Sequence, residues 1–205
     1  MDYFHKKRLH NAGKPKGFWG RKTLRAMNRN HKLLTDVGLG LIDFPENAVC
    51  LDIGCGGGRT LAELSKRTKG KVYGVDISDM SVKMSKRYNH WYVKKGKIIV
   101  ENASVSELPF ADGFFDVVTA VETFYFWEDK ADCVKEVYRT LKPEGVFVVM
   151  LDAFDDGKTD YSELIDEIGL ELNTSDELQE IFAKAGFAET DIVIECKRIY
   201  VRGKK

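Results

Sequence analysis

Three carboxylates and a run of glycines are the residues in this 205-residue chain whose types and spacing could do chemistry. Asp52 stands two positions ahead of Gly54-Cys55-Gly56-Gly57-Gly58, Asp76 lies beyond them, and Glu122 closes a later apolar run. Glycine takes positive φ and carries no Cβ, so such a loop can turn sharply and aim its N–H groups at a bound molecule. A carboxylate about twenty residues after the glycines can accept hydrogen bonds from both hydroxyls of a ribose. The residues therefore point to a nucleoside ligand. A dinucleotide fingerprint of the form G-x-G-x-x-G needs its third glycine at 59, where Arg59 stands. A carboxylate directly ahead of the loop also suits a cationic ligand better than a pyrophosphate.

The elements that must position these groups follow from hydrophobic pattern. Ala48 to Ile53 is a short apolar run broken only by Asp52, which reads as a buried parallel strand, and Thr60 to Lys66 reads as a helix with Leu61 and Leu64 on one face. Lys71–Asp76, Lys97–Glu101 and Phe115–Val121 read as three further strands. Lys130–Thr140 reads as a helix, Leu141-Lys142-Pro143-Glu144-Gly145 as a turn, and Val146–Leu151 as the fifth strand. A helix from the Thr174-Ser175-Asp176-Glu177 start to Ala185 stops at Gly186, and two closing strands follow, Asp191–Glu195 and Arg198–Arg202. Ahead of all this, Arg21 to Val37 reads as one helix with Leu24, Met27, His31 and Leu34 on a stripe and Asn28 beside it. A histidine on such a stripe is as easily a packed core residue as a functional one.

The D-x-G-x-G-x-G pattern at 52–58 resembles motif I of the class I S-adenosylmethionine (SAM)-dependent methyltransferases. Leu108-Pro109-Phe110 running into Phe115-Asp116, and Leu141-Lys142-Pro143-Glu144-Gly145 before the fifth strand, are similar to that family's later motifs, in the same order. The resemblance spans residues 48–202 and implies an α/β, Rossmann-like class I methyltransferase fold. That fold has a seven-stranded, mostly parallel sheet with an antiparallel last strand. It implies SAM as cofactor, S-adenosylhomocysteine as product, and transfer to a small-molecule acceptor. Asp52, Gly54, Cys55, Gly56, Gly58, Asp76 and Glu122 are the residues it would place on the donor, with Ile77 and Met80 against the adenine. Ser104 stands where the family often has an acidic residue toward the adenine amino group, with Val105 after it. Glu122, His31 and Tyr125 are the candidates for a base, and Trp19, Asn28, His31, Tyr125 and Trp127 for contact with the acceptor. No N/D-P-P-Y/F motif follows the fourth strand, which argues against adenine-N6 DNA and glutamine-amide methyltransferases.

Composition limits the other readings. Net charge is zero, so no overall field draws the chain to nucleic acid. Cys50, Cys55, Cys133 and Cys196 form no C-x-x-C pair, so no metal is expected, and a reducing cytoplasm fits them. No apolar stretch is long enough to span a membrane. Charge is nevertheless segregated: residues 1–32 carry ten Lys/Arg against one acid, and 152–180 carry eleven Asp/Glu against one Lys. The expected organisation is a basic arm and helix over 1–40 acting as a cap, and a methyltransferase domain over 41–205 with 152–172 inserted on the substrate side. The basic arm keeps an RNA or protein methyltransferase open, and a non-catalytic SAM binder or an NAD enzyme also remains. The oligomeric state is not readable from these features.

Overall fold

The computed structural model describes residues 12–205, so most of the basic arm lies outside the described residues. The chain forms a seven-stranded sheet of β1 (Cys50–Ile53), β2 (Val72–Asp76), β3 (Ile98–Asn102), β4 (Phe115–Val121), β5 (Leu141–Leu151), β6 (Glu189–Glu195) and β7 (Arg198–Lys204). The order across the sheet is β3-β2-β1-β4-β5-β7-β6. Pairings from β3 through β5 are parallel, and β7 runs antiparallel to both β5 and β6. Strand order therefore reverses between β1 and β4. That leaves a crevice beyond their carboxyl ends, the usual place for a ligand in an open α/β sheet.

Both faces of the sheet are covered, which is why its central strands read as nearly unbroken apolar runs. On one face lie α2 (Lys32–Gly40), carrying Leu34 and Leu39, and α3 (Arg59–Arg67), carrying Leu61 and Leu64. On the other face, α6 (Lys130–Thr140) brings Val134 and Val137, and α8 (Ser175–Ala185) brings Leu178 and Phe182. Phe147 of β5 stacks on Phe182 with ring centroids 5.3 Å apart. Helix α8 begins with a complete capping box: Thr174 Oγ1 accepts from the Glu177 N–H, and the Glu177 carboxylate accepts from the Thr174 N–H.

Several boundaries differ from the sequence reading. The single helix expected over 21–37 is two, α1 (Gly17–Asn30) and α2, parted at His31. The break is slight, since the His31 N–H still donates to the Met27 carbonyl and its own carbonyl accepts from Thr35. The expected turn at 141–145 lies inside β5 as a bulge: Glu144 has φ 66°, and the step from Phe115 to Val117 on β4 faces the step from Leu141 to Val146. The closing strands run longer than the alternation showed, because β7 pairs with two neighbours and draws β6 along its whole length. The acidic segment after β5 contains α7 (Ser162–Ile168), and α4 (Asp79–Tyr88) and α5 (His90–Lys94) fill the crossover between β2 and β3.

Candidate functional site: a cavity over the glycine loop

The loop after β1 owes its shape to its glycines. Gly54, Gly56 and Gly58 all have positive φ, at 67°, 48° and 83°. A Cβ on Gly54 would lie 2.3 Å from Thr123 Oγ1, so that position also requires the absence of a side chain. Asp76, at the tip of β2, then fixes the loop from below: its Oδ2 accepts from the Gly56 N–H and its Oδ1 from the Ser78 N–H, both at 2.9 Å. Those bonds favour the charged form, but burial dominates and holds the Asp76 carboxyl above its ordinary range. A carboxylate offers about four lone-pair sites, so two remain for a ligand.

Over this loop lies a cavity of about 530 Å³. Its lining includes Gly54, Cys55, Gly56, Asp76, Ile77, Ser104, Val105, Glu122, Asn28, His31 and Trp127. These come from five separate parts of the sequence and were expected at the site. Asn28 also closes the loop from above, donating from Nδ2 to the Gly57 carbonyl at 3.0 Å. Asp52 was expected at the cofactor but does not line the cavity. It is buried beneath the loop, accepting from Thr119 Oγ1 at 2.7 Å, because its side chain points toward β4, where Thr119 is its partner in register. Burial, reinforced by the Asp76 charge, pushes its carboxyl up to about 7. Met80 and Trp19 also lie outside the lining: Trp19 packs edge-on against Phe18 on α1, with Lys22 over the ring. Gly58 is outside as well. It caps α3 in the left-handed region, and a Cβ there would meet Ser85 and Asn89.

Arg59 is the residue the sequence reading passed over. It was noted only as the wrong residue for a dinucleotide loop, yet it lines the cavity. One terminal nitrogen pairs with Asp36 at 3.0 Å, while Nε is buried with no hydrogen-bond partner among the described residues. Its place in the first turn of a helix that opens on a glycine loop was the available signal.

At the far end of the cavity the tips of β4 and β5 bring carboxylates together. Glu122 has φ 57°, unusual for a residue with a Cβ and a conformation found disproportionately at functional positions. Its Oε1 accepts from the Tyr125 hydroxyl and from the Asp152 N–H, which leaves Oε2 facing His31 Nε2 at 3.8 Å. Asp152 is paired with Arg198 Nε at 2.6 Å. Burial, then the Asp152 charge, pushes the Glu122 carboxyl up to about 7, and burial holds His31 below its ordinary value. Ligand atoms of His31, Glu122 and Asp152 lie within 4.8 Å of one another, a grouping that could hold a metal ion and that no sequence spacing revealed.

Residues 51–149 match the family model described as a methyltransferase domain. The matched stretch is a methyltransferase domain with the class I sheet order. The chain is similar to cycloartenol-C-24-methyltransferase 1 of Oryza sativa, with 29% identity over 156 residues, 74% of this chain and 44% of that protein. It spans about half or less of the length of the first curated relatives it matches. Among solved structures, the methyltransferase bound to the Haloferax volcanii Trm112 methyltransferase activator superposes with TM-score 0.80. That match has 20% identity and covers 91% of this chain and 93% of that one. Geranyl diphosphate C-methyltransferase from Streptomyces coelicolor, solved with Mg2+, geranyl diphosphate and S-adenosyl-L-homocysteine, gives 0.75 at 15% identity, covering 95% and 86%. Both likenesses speak to fold. Among the described residues no helix is long and apolar enough to cross a membrane.

Proposed function

We propose that this protein transfers the methyl group of SAM to a small-molecule acceptor by in-line displacement. The observation that carries the reading is the glycine loop at the β1–β4 switch, held by Asp76 within a family match that spans it. The cavity's groups suit the parts of SAM. Asp76 retains acceptor sites for the ribose hydroxyls, and Ile77, Ser104 and Val105, which line the same cavity, would face the adenine. The loop backbone at Gly54, Cys55 and Gly56 would run along the amino-acid tail, with Gly58 setting the start of α3. The unpartnered Arg59 Nε offers a donor to the α-carboxylate. Buried Asp52 and nearby Glu122 give the cationic donor a negative surrounding, Asp52 through its field and Glu122 at the cavity wall.

The sulfonium arrives activated, so this chain's residues need to bind, orient and exclude water. Orientation of well-aligned reactants is worth about 7–11 kcal/mol at most. In this reading residues 1–40 act as a cap, 41–205 form the transferase domain, and 152–172 face the acceptor. Titration calorimetry with SAM tests the donor half. Asp76→Ala should lose charge-assisted bonds worth roughly 1.5–3 kcal/mol, a ten- to hundredfold weaker affinity. Unchanged affinity would mean that the ribose is held elsewhere.

A further inference from the structure

A second chamber of about 310 Å³ adjoins the donor cavity and shares Met27, His31, Glu122 and Phe126 with it. Its walls are mostly apolar, with Ala26 from α1, Ala153 after β5, Leu164 and Ile168 from α7, and Leu170. Its acidic and basic side chains converge at one place: His31, Glu122 and Asp152 meet there, and two of the three also face the donor cavity. The chamber is therefore an apolar room whose polar corner opens toward the methyl donor.

We propose that this chamber is the acceptor site, that it takes a compact, largely apolar molecule bearing a hydroxyl, and that the His31–Glu122 pair receives the hydroxyl proton during transfer. The proposal deepens the methyltransferase reading above and rests on it. A volume of about 310 Å³ lies at the small end of ligand pockets, which run from about 300 to 1,000 Å³. A hydroxyl suits this corner better than a cationic amine: Asp152 is already paired with Arg198 at 2.6 Å, and Tyr125 and the Asp152 N–H already occupy Glu122 Oε1.

The step balances without a further reactant. The acceptor oxygen forms a bond to the methyl carbon as the carbon–sulfur bond breaks. The bonding pair stays on sulfur, turning sulfonium into thioether, and the hydroxyl proton moves to the His31–Glu122 pair. His31 lines both chambers and its Nε2 faces Glu122 Oε2, so this pair stands where the proton leaves. Glu122 Oε2 lies 3.8 Å from His31 Nε2 and shares that proton, while Tyr125 and the Asp152 N–H keep Oε1 in place. Proton transfer of this kind contributes about 10²–10⁴-fold. The groups whose charge bears on this pair are Asp152 and Arg198 from the β5 and β7 side, Tyr125, and Tyr161 next to α7.

The test uses the full chain with SAM and simple phenols, 2-naphthol first, with O-methyl products read by mass spectrometry. Leu164→Trp should fill the chamber and lower phenol methylation at least tenfold while SAM affinity stays unchanged. His31→Ala should lower kcat by about 10²–10⁴-fold with little change in KM. Three results would overturn the proposal. The first is phenol methylation indifferent to both substitutions. The second is no binding of any phenol to the SAM-loaded protein. The third is turnover lost in EDTA and restored by Mg2+, which would make the three-residue cluster a cation site instead. Failure of the wild-type protein to bind SAM would overturn the methyltransferase reading itself, a separate outcome.

Discussion

Asp52 should cost this fold stability at neutral pH, and Asp52→Asn measures how much. In the unfolded chain its carboxyl ionises near 3.8; in the folded protein burial raises that to about 7. Between those values the folded state binds more protons than the unfolded state, so stability falls as pH rises through the window and the full cost applies above it. At 1.36 kcal/mol per unit, a shift of about 3 units is a ceiling of about 4 kcal/mol, large against a typical domain stability of about 5–15 kcal/mol. About 2–3 kcal/mol of it develops between pH 5 and pH 8. Asparagine keeps an acceptor for Thr119 Oγ1 and never ionises, but its Nδ2 needs a partner. An unmet one costs roughly 1–3 kcal/mol at every pH. The absolute difference between the proteins is therefore uninformative, and the change in that difference with pH is the signal. Urea unfolding at pH 5, 6, 7 and 8 should show the variant gaining on wild type by about 2–3 kcal/mol across the series. A constant gap would refute the reasoning, because it would mean that Asp52 ionises in the folded protein as readily as in the unfolded chain.

Gly56→Val should fold yet lose SAM affinity at least about tenfold by calorimetry. A Cβ there meets only ordinary contacts, so the loss comes from forcing a branched residue to φ 48° and filling the ligand's space. Gly57→Ala should detach Asn28, whose side chain lies 2.4 Å from the new Cβ; hydrogen exchange in α1 should quicken while the sheet stays protected. Thr174→Ala removes one half of the capping box and should lower stability by about 1 kcal/mol in urea, with SAM binding unchanged.

The sheet was readable because its strands are short apolar runs buried on both faces, and because glycines and prolines mark where they stop. The donor cavity was readable for a related reason: its loop, Asp76 and Ser104-Val105 follow strand tips whose positions the topology fixes. What the sequence hid are features made by three-dimensional convergence. The direction of the Asp52 side chain depends on its partner Thr119, 67 residues away, and spacing along the chain does not report that. Arg59 looks like an ordinary helix residue until its Nε is seen without a partner at a cavity wall. The meeting of His31, Glu122 and Asp152 likewise joins a helix break to two strand tips.

The charge asymmetry shows how far composition can carry an argument about shape. Basic α1 and the acidic stretch after β5 carry opposite charge, and both line the second chamber, through Ala26 and Met27 on one side and Ala153, Leu164 and Ile168 on the other. Two of the acidic stretch's carboxylates pair with bases outside α1: Asp152 with Arg198 and Glu171 with Lys130. Exposed ion pairs are each worth about 0–1 kcal/mol, while burying one aliphatic side chain is worth about 1.5–3 kcal/mol. An apolar seam can therefore hold the two segments more firmly than their opposite charges can. The chamber's acidic and basic side chains gather in one corner, at His31, Glu122 and Asp152, and that corner is where a proton can leave.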